Sequence, residues 1–201
     1  MMPRGRVKER ARKVRLLVMD VDGVLTDGRM TLSEQGDELK AFHSRDGVGL
    51  VLARRAGIRT ALVTDKQSGI AKARGEALGI DSIVLGAARK GESVDALLAE
   101  HGLGAEAVAF IGDDLVDIPA LQRVGLAVAV ADAAPEVRAL AHVVTRARGG
   151  RGAVRECIEL ILRAQGAWDA TVDAYVRDHG GAPLRAGRRT SSGRSRPRRP
   201  S

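Results

Sequence analysis

An apolar run over residues 14–19, rich in Val and Leu, ends at once in two carboxylates, Asp20 and Asp22, with Gly23 behind them. Such a run reads as a buried strand, and the glycine lets the chain turn away at its end. Open α/β sheets hold their ligands at the carboxyl ends of buried parallel strands. Alternate residues of an extended chain share a face, which sets Asp20 and Asp22 towards one crevice. Two acids brought together repel, and a hard cation such as Mg²⁺ relieves that repulsion. Taken alone, Asp-x-Asp-Gly is also a common spelling for a polar turn. The rest of the chain has to choose between the two.

The pattern that follows has the rhythm of a parallel sheet. Strands are expected at residues 58–63, 83–85, 108–111, 126–130 and 142–144. Helices are expected from about residue 46 to 56, then at 70–78, 94–101, 115–124, after Pro135, at 154–164 and at 167–179, with Gly57, Gly79 and Gly102 as stops. Residues 30–32 and 38–42 flank a run of turn formers, which reads as a β-hairpin inserted just after the acidic pair. The expected fold is a doubly wound α/β sheet with this one insertion. No solenoid-type repeat interrupts it.

Charge separates this domain from its ends. The chain carries +8 overall, yet residues 1–15 alone hold +6 and residues 185–201 hold +7, which leaves the stretch between them at −5. The expected organisation is a disordered basic lead-in at 1–13, a domain at 14–180 and a disordered basic tail at 181–201. Only weak, sequence-independent binding of nucleic acid is expected from such tails, since no aromatic residues are interleaved for base stacking. Aromatic residues make up 2% of the chain, so the core must come from Ala, Val, Leu and Ile. Cys157 is the sole cysteine, which excludes an internal disulfide and fits a reducing compartment. No apolar run approaches the ~20 residues that span a bilayer, and the run after the basic N-terminus is too short for a signal-peptide core. A cytoplasmic location without membrane attachment is the expectation.

The strand ends form one constellation: Asp20 and Asp22, then Thr64, then Lys90 at a helix start, then Asp113, Asp114 and Asp117. Its chemical logic is phosphoryl transfer. One carboxylate attacks phosphorus and a second serves the leaving oxygen. A hydroxyl and an ammonium grip phosphoryl oxygens, while further carboxylates hold Mg²⁺. A receiver domain of a signalling pathway uses the same ingredients, but it places the phosphorylated Asp mid-chain and the Lys last. Here an acid cluster follows the Lys, which argues against a receiver.

In this order the motifs resemble those of the haloacid dehalogenase superfamily. Asp20-Val21-Asp22-Gly23-Val24 matches its first motif, Thr64 its second, Lys90 its third and Gly112-Asp113-Asp114-Leu115-Val116-Asp117 its fourth. The resemblance implies a Rossmann-like core with Asp20 as nucleophile and Asp22 as general acid/base. It also implies Mg²⁺ held by Asp20, Asp113 and the backbone carbonyl of Asp22, with Thr64 and Lys90 on phosphate and Asp114 and Asp117 as supporting acids. Residues 22–64 and 64–113 are too short to hold a cap domain beside the elements already assigned. A capless site needs cover from another subunit.

Within the superfamily the chain is similar to the 3-deoxy-D-manno-octulosonate 8-phosphate phosphatases and their relatives acting on nine-carbon sugar acid 9-phosphates. Besides the first and fourth motifs, the carrying segments are Gly36-Asp37-Glu38-Leu39-Lys40-Ala41-Phe42, Arg45-Asp46-Gly47, residues 124–133 and Gly149-Gly150-Arg151-Gly152-Ala153-Val154-Arg155-Glu156. The resemblance covers about residues 14–165. It implies a homotetramer assembled through the hairpin, a C-terminal segment reaching a neighbour's site, and a sugar phosphate as substrate, with Lys66 and Arg151 as substrate-binding residues. The chain departs from the eight-carbon pattern in one place, carrying Asp65-Lys66 where Gly-Arg is usual; Lys66 keeps the charge without the bidentate fork. Nine-carbon enzymes tend to have Glu there, a Lys near Ala77 and Glu in place of Arg151, so these positions lean towards the eight-carbon sugar. The nine-carbon substrate stays as the alternative, as does a catalytically degenerate tetramerisation module, although the acids such modules have lost are present here. The four histidines lack metal-ligand spacing. Asp46 reads as the N-cap of the helix that follows it, ahead of a contact with the sugar.

Overall fold

A computed structural model describes residues 4–184. The elements in chain order are α1 (Arg4–Lys13), β1 (Leu16–Met19), β2 (Thr31–Leu32), β3 (Glu38–Leu39), α2 (Ser44–Arg55), β4 (Arg59–Val63), α3 (Gly69–Leu78) and β5 (Ser82–Val84). There follow α4 (Lys90–His101), β6 (Val108–Gly112), α5 (Ile118–Leu121), β7 (Leu126–Ala129), α6 (Pro135–Leu140), β8 (Val143–Val144), α7 (Ala153–Ala164) and α8 (Trp168–Asp178). Six strands form one parallel sheet in the order β5-β4-β1-β6-β7-β8. The short antiparallel pair β2-β3 stands apart as the inserted hairpin.

The strands β1, β6 and β7 are buried along their whole length, so helices must cover both faces. One group is α1, α2 and α7; α4 with α5 forms another. The core is aliphatic, with Phe110 the one aromatic side chain fully enclosed in it. From β1 the chain runs out to β4 and β5, then crosses back to β6 on the other side of β1. The order therefore reverses at β1, and the carboxyl end of β1 opens onto the switch point where such sheets bind ligands. Asp20 is the next residue.

Several expectations need correction. The second hairpin strand ends at Leu39 and not at residue 42. The lead-in is not loose: residues 4–13 form α1. Val7 and Ala11, four apart on one face, are buried together with Val14, Arg10 donates to the Gly125 carbonyl and Arg12 Nε donates to the Ala164 carbonyl at 3.1 Å. Two small apolar residues in a charged run are a weak periodic signal, and only the waiting groove beside α7 gives them a partner. The expected helix at 115–124 is instead a 3-10 turn, Leu115–Asp117, running into a four-residue α5 with Pro119 in its first turn. Asp46 does not cap its own helix, whose N-cap is His43; its carboxylate accepts the amides of Gly152 at 3.1 Å and Arg155 at 2.7 Å and so caps α7. At the other end, Gly181 and Leu184 fold back on α8, donating to the Val176 carbonyl and to Asp173 Oδ1. The rest of the expected tail, residues 185–201, lies outside the described residues, as do residues 1–3. Among the described residues no helix is long and apolar enough to cross a membrane.

Candidate active site

The loop after β1 is wound tightly. The amides of Leu25 and Thr26 both donate to the Val21 carbonyl at 3.0 Å, and the buried Thr26 hydroxyl accepts the amides of Gly23 and Gly28. Gly23 has φ of 93°, and a Cβ there would stand 2.1 Å from Asp113 Oδ2. A side chain at this position is thus excluded twice, by backbone geometry and by the carboxylate packed against it. The first and fourth motifs meet at this glycine.

Below it lies a buried charge cluster. Lys90, the first residue of α4, donates to Asp20 Oδ1 at 2.6 Å and to Asp117 Oδ1 at 2.7 Å. Asp117 is fully enclosed, and its second oxygen accepts the amides of Asp113 at 2.9 Å and Asp114 at 3.4 Å. Gly112 makes room for it, since a Cβ there would meet the Asp117 carboxylate at 2.5 Å. Oxygens of Asp20, Asp113 and Asp117 lie within 4.8 Å of one another. Three carboxylates against one ammonium in a buried site resist ionisation. Burial first, then the charge of Asp117, raises the Asp20 pKa to about 7 against the pull of Lys90. Burial, with Asp20, Asp117 and Asp114 around it, raises Asp113 to about 8. Lys90 is held above its ordinary value because the two carboxylates outweigh its own burial.

The donor set suits a hard divalent cation: it offers carboxylate oxygens at one point, with excess negative charge that one lysine does not offset. Asp117 has both oxygens committed to Lys90 and to backbone amides, so Asp20 and Asp113 are the acids left to face an ion. Asp114 is not part of the cluster; its exposed carboxylate bonds the Leu115 amide at 2.7 Å and starts the 3-10 turn. Thr64 is buried at the end of β4, the strand beside β1, with its backbone fixed to Val84 and Ala87.

Asp22 stands apart from these acids. Its Oδ1 is bonded by the Lys40 ammonium, and Lys66 Nζ lies 3.3 Å from its Oδ2. Lys40 also pairs with Glu38 at 2.8 Å. Burial opposes its charge, but the bonds to Asp22 and Glu38 prevail and raise its pKa. Sequence reasoning gave Lys40 no role. Its only trace is a lysine two residues after a glutamate at a hairpin foot, which is ordinary spelling for an exposed strand. Arg151 sits outside the cluster, 65% exposed, with Nη2 at 3.4 Å from Asp27 Oδ2. The glycines before it explain themselves: a Cβ on Gly149 would lie 1.6 Å from the Gly23 carbonyl, and the Gly150 amide donates to Val24 at 2.9 Å. Two backbones touch here, which presses the Gly-Gly-Arg-Gly turn against the first motif. A cavity of about 550 Å³ opens beside Lys90, with Asp65, Arg89, Val116 and Arg123 in its walls.

A family model of haloacid dehalogenase-like hydrolases matches residues 61–156. The chain is 44% identical over 163 residues to the 3-deoxy-D-manno-octulosonate 8-phosphate phosphatase of Escherichia coli, covering 81% of this chain and 87% of that one. The crystal structure of the corresponding phosphatase from Yersinia pestis superposes with a TM-score of 0.79 at 46% identity, covering 81% and 88% of the two chains. The Moraxella catarrhalis enzyme, solved with a magnesium ion, a phosphate ion and a KDO molecule, gives 0.84 at 35% identity, covering 86% and 99%. The chain belongs to the 3-deoxy-D-manno-octulosonate 8-phosphate phosphatase-like family of the haloacid dehalogenase superfamily. It is a phosphatase.

The family's capless form is visible directly. Among the described residues, the span from Asp22 to Thr64 holds the hairpin, α2 and β4, and the span from Thr64 to Asp113 holds α3, β5, α4, a one-turn 3-10 helix at Ala105–Ala107 and β6. The matched window contains Thr64, Lys90 and the fourth-motif acids, while Asp20 precedes it and is joined to it through Lys90. At the pair where the chain departs from Gly-Arg, Asp65 is exposed in the wall of the cavity beside Lys90, and Lys66 Nζ approaches Asp22 Oδ2.

Proposed function

We propose that this phosphatase hydrolyses 3-deoxy-D-manno-octulosonate 8-phosphate to the free sugar acid and inorganic phosphate, with Mg²⁺ as its metal and Asp20 as its nucleophile. The observation that carries the reading is the Lys90 ammonium shared between Asp20 and Asp117 at the switch point of the sheet. It engages Oδ1 of Asp20 and leaves Oδ2 without a bond to the ammonium, at the place where a phosphoryl group would be gripped. The names of the relatives support the substrate, and the family resemblance at Lys66 and Arg151 leans to the eight-carbon sugar over the nine-carbon alternative.

The residues divide the reaction as follows. The Asp20 oxygen not held by Lys90 attacks phosphorus, the P–O bond to the sugar breaks, and Asp22 gives its proton to the departing oxygen. Water then attacks phosphorus of the aspartyl phosphate while Asp22 takes a proton from it, and cleavage of the P–O bond to Asp20 releases inorganic phosphate and returns the Asp20 carboxylate. Lys90 and Thr64 hold phosphoryl oxygens in line, and Asp117 keeps Lys90 and the Asp113 loop in place. Held by Asp20, Asp113 and the Asp22 backbone carbonyl, Mg²⁺ would supply neutralising charge at the phosphoryl oxygens. Lys66 and Arg151 are read as substrate-binding groups at the mouth.

A homotetramer through the hairpin belongs to the same reading. Met30, Leu32 and Leu39 are 59%, 60% and 64% exposed on a two-stranded ribbon, which is marginal on its own and leaves the capless site open. A cytoplasmic location belongs to the same reading and rests on the single cysteine, Cys157, which can form no internal disulfide.

The test is phosphate release across eight- and nine-carbon sugar acid phosphates with Mg²⁺, and with Asp20→Asn as control. The octulosonate ester should give the highest kcat/KM and the variant no turnover. A nine-carbon preference would overturn the substrate, and an active Asp20→Asn would overturn the mechanism.

A further inference from the structure

The carboxylate of Asp22 is held from the hairpin. Lys40 is the first residue beyond β3, and its ammonium donates to Asp22 Oδ1 while pairing with Glu38 of β3. On the other side, Lys66 Nζ lies 3.3 Å from Asp22 Oδ2 and 3.7 Å from the sulfur of Met30, the residue before β2. Both feet of the hairpin therefore reach the groups around one carboxylate. The two lysines act differently on it. Lys40 occupies Oδ1, whereas Oδ2 is buried and makes no hydrogen bond, since Lys66 approaches it without hydrogen-bond geometry. A group that hands over a proton needs a fixed rotamer and one free oxygen, because a misplacement of ~1 Å costs on the order of 100-fold in rate.

We propose that Lys40 is a positioning residue that holds Asp22 Oδ1 so that Oδ2 meets the leaving oxygen, tying ester cleavage to the placement of the hairpin. This rests on the reading of Asp22 as the acid/base. In the step concerned, the P–O ester bond breaks and its electron pair goes to the leaving oxygen. The Oδ2 proton of Asp22 moves to that oxygen, and the resulting carboxylate keeps its Oδ1 on Lys40. Lys66 is no substitute for this grip, being one-third exposed and lacking a bond to the carboxylate.

The test uses leaving groups that differ only in acidity: phenyl phosphate and p-nitrophenyl phosphate, small esters with no sugar for Lys40 to touch. Nitrophenolate departs without a proton, whereas phenolate needs one. Lys40→Met should lower kcat/KM for phenyl phosphate at least about tenfold more than for p-nitrophenyl phosphate, as Asp22→Asn does, and Lys40→Arg should return to within about threefold of the parent. Equal losses on both esters in Lys40→Met, with the selective loss present in Asp22→Asn, would overturn the positioning role and leave the reading of Asp22 standing. No selectivity in Asp22→Asn itself would bring down that reading and the proposal with it.

Discussion

The carboxylate of Asp46 accepts the amide of Arg155 at 2.7 Å, so an acid in the first turn of α2 caps a helix lying 109 residues further along the chain. The same carboxylate takes the Gly152 amide, and with it fixes the end of the turn that presses on the first motif. Burial raises the Asp46 pKa despite the two amides, which marks the site as costly to leave half satisfied. Asp46→Ala should destabilise the fold by about 2 kcal/mol, read by urea unfolding, because two helix-start amides lose their acceptor. Asp46→Asn, which keeps one acceptor oxygen, should lose less. Equal stability of the parent and the alanine variant would show that water replaces the cap without cost.

The acid cluster makes stability depend jointly on pH and divalent metal. Asp20 and Asp113 titrate at about 7 and about 8 in the metal-free fold, above the ordinary 3.8. Groups with raised folded pKa values contribute stability that is full below about pH 4 and is lost as pH rises through 7 to 8. A cation that binds the ionised pair offsets that loss. The rise in Tm on adding Mg²⁺ should therefore be larger near pH 8.5 than near pH 6. An equal rise at both would place the ion elsewhere.

Gly23→Ala should abolish phosphatase activity while the sheet survives. The added methyl falls on the Asp113 carboxylate and the φ of 93° resists a side chain, so Asp113 must move out of the cluster. Circular dichroism near the parent's, with turnover lost and no Mg²⁺-dependent rise in Tm, is the expected combination. Retained activity would mean that Asp113 is dispensable.

Replacing Leu32 and Leu39 with Ser should give monomers by light scattering at micromolar concentration, because these side chains form the apolar surface of the hairpin. The parent should be a tetramer. A monomeric parent would remove both the assembly and the cover it provides.

Truncation after Leu184 removes seven arginines but no side chain named in the site. Its kcat should stay within about twofold of the parent, a difference below ~0.5 kcal/mol in barrier. A tenfold fall would show that the segment closes the site.

What the sequence determined by itself was the part written in local pattern. Apolar runs, glycine stops and turn formers mark the parallel strands within a residue or two, because strand burial and helix termination act over a few neighbours; the hairpin is also marked, but its second strand ends at Leu39 and not at residue 42. The strand-end acids, Thr64 and Lys90 were legible for the same reason, since topology sends the carboxyl ends of parallel strands to one edge. Tertiary structure alone decided the remainder. It made a helix of residues 4–13 by giving Val7 and Ala11 a groove, sent Asp46 to α7, and set Lys40 on Asp22. It also separated acids that look alike in the chain: Asp117 is buried under Lys90, while Asp114 faces solvent. Which of several nearby carboxylates meets an ammonium depends on side-chain direction and on partners dozens of residues away, and neither is encoded in spacing.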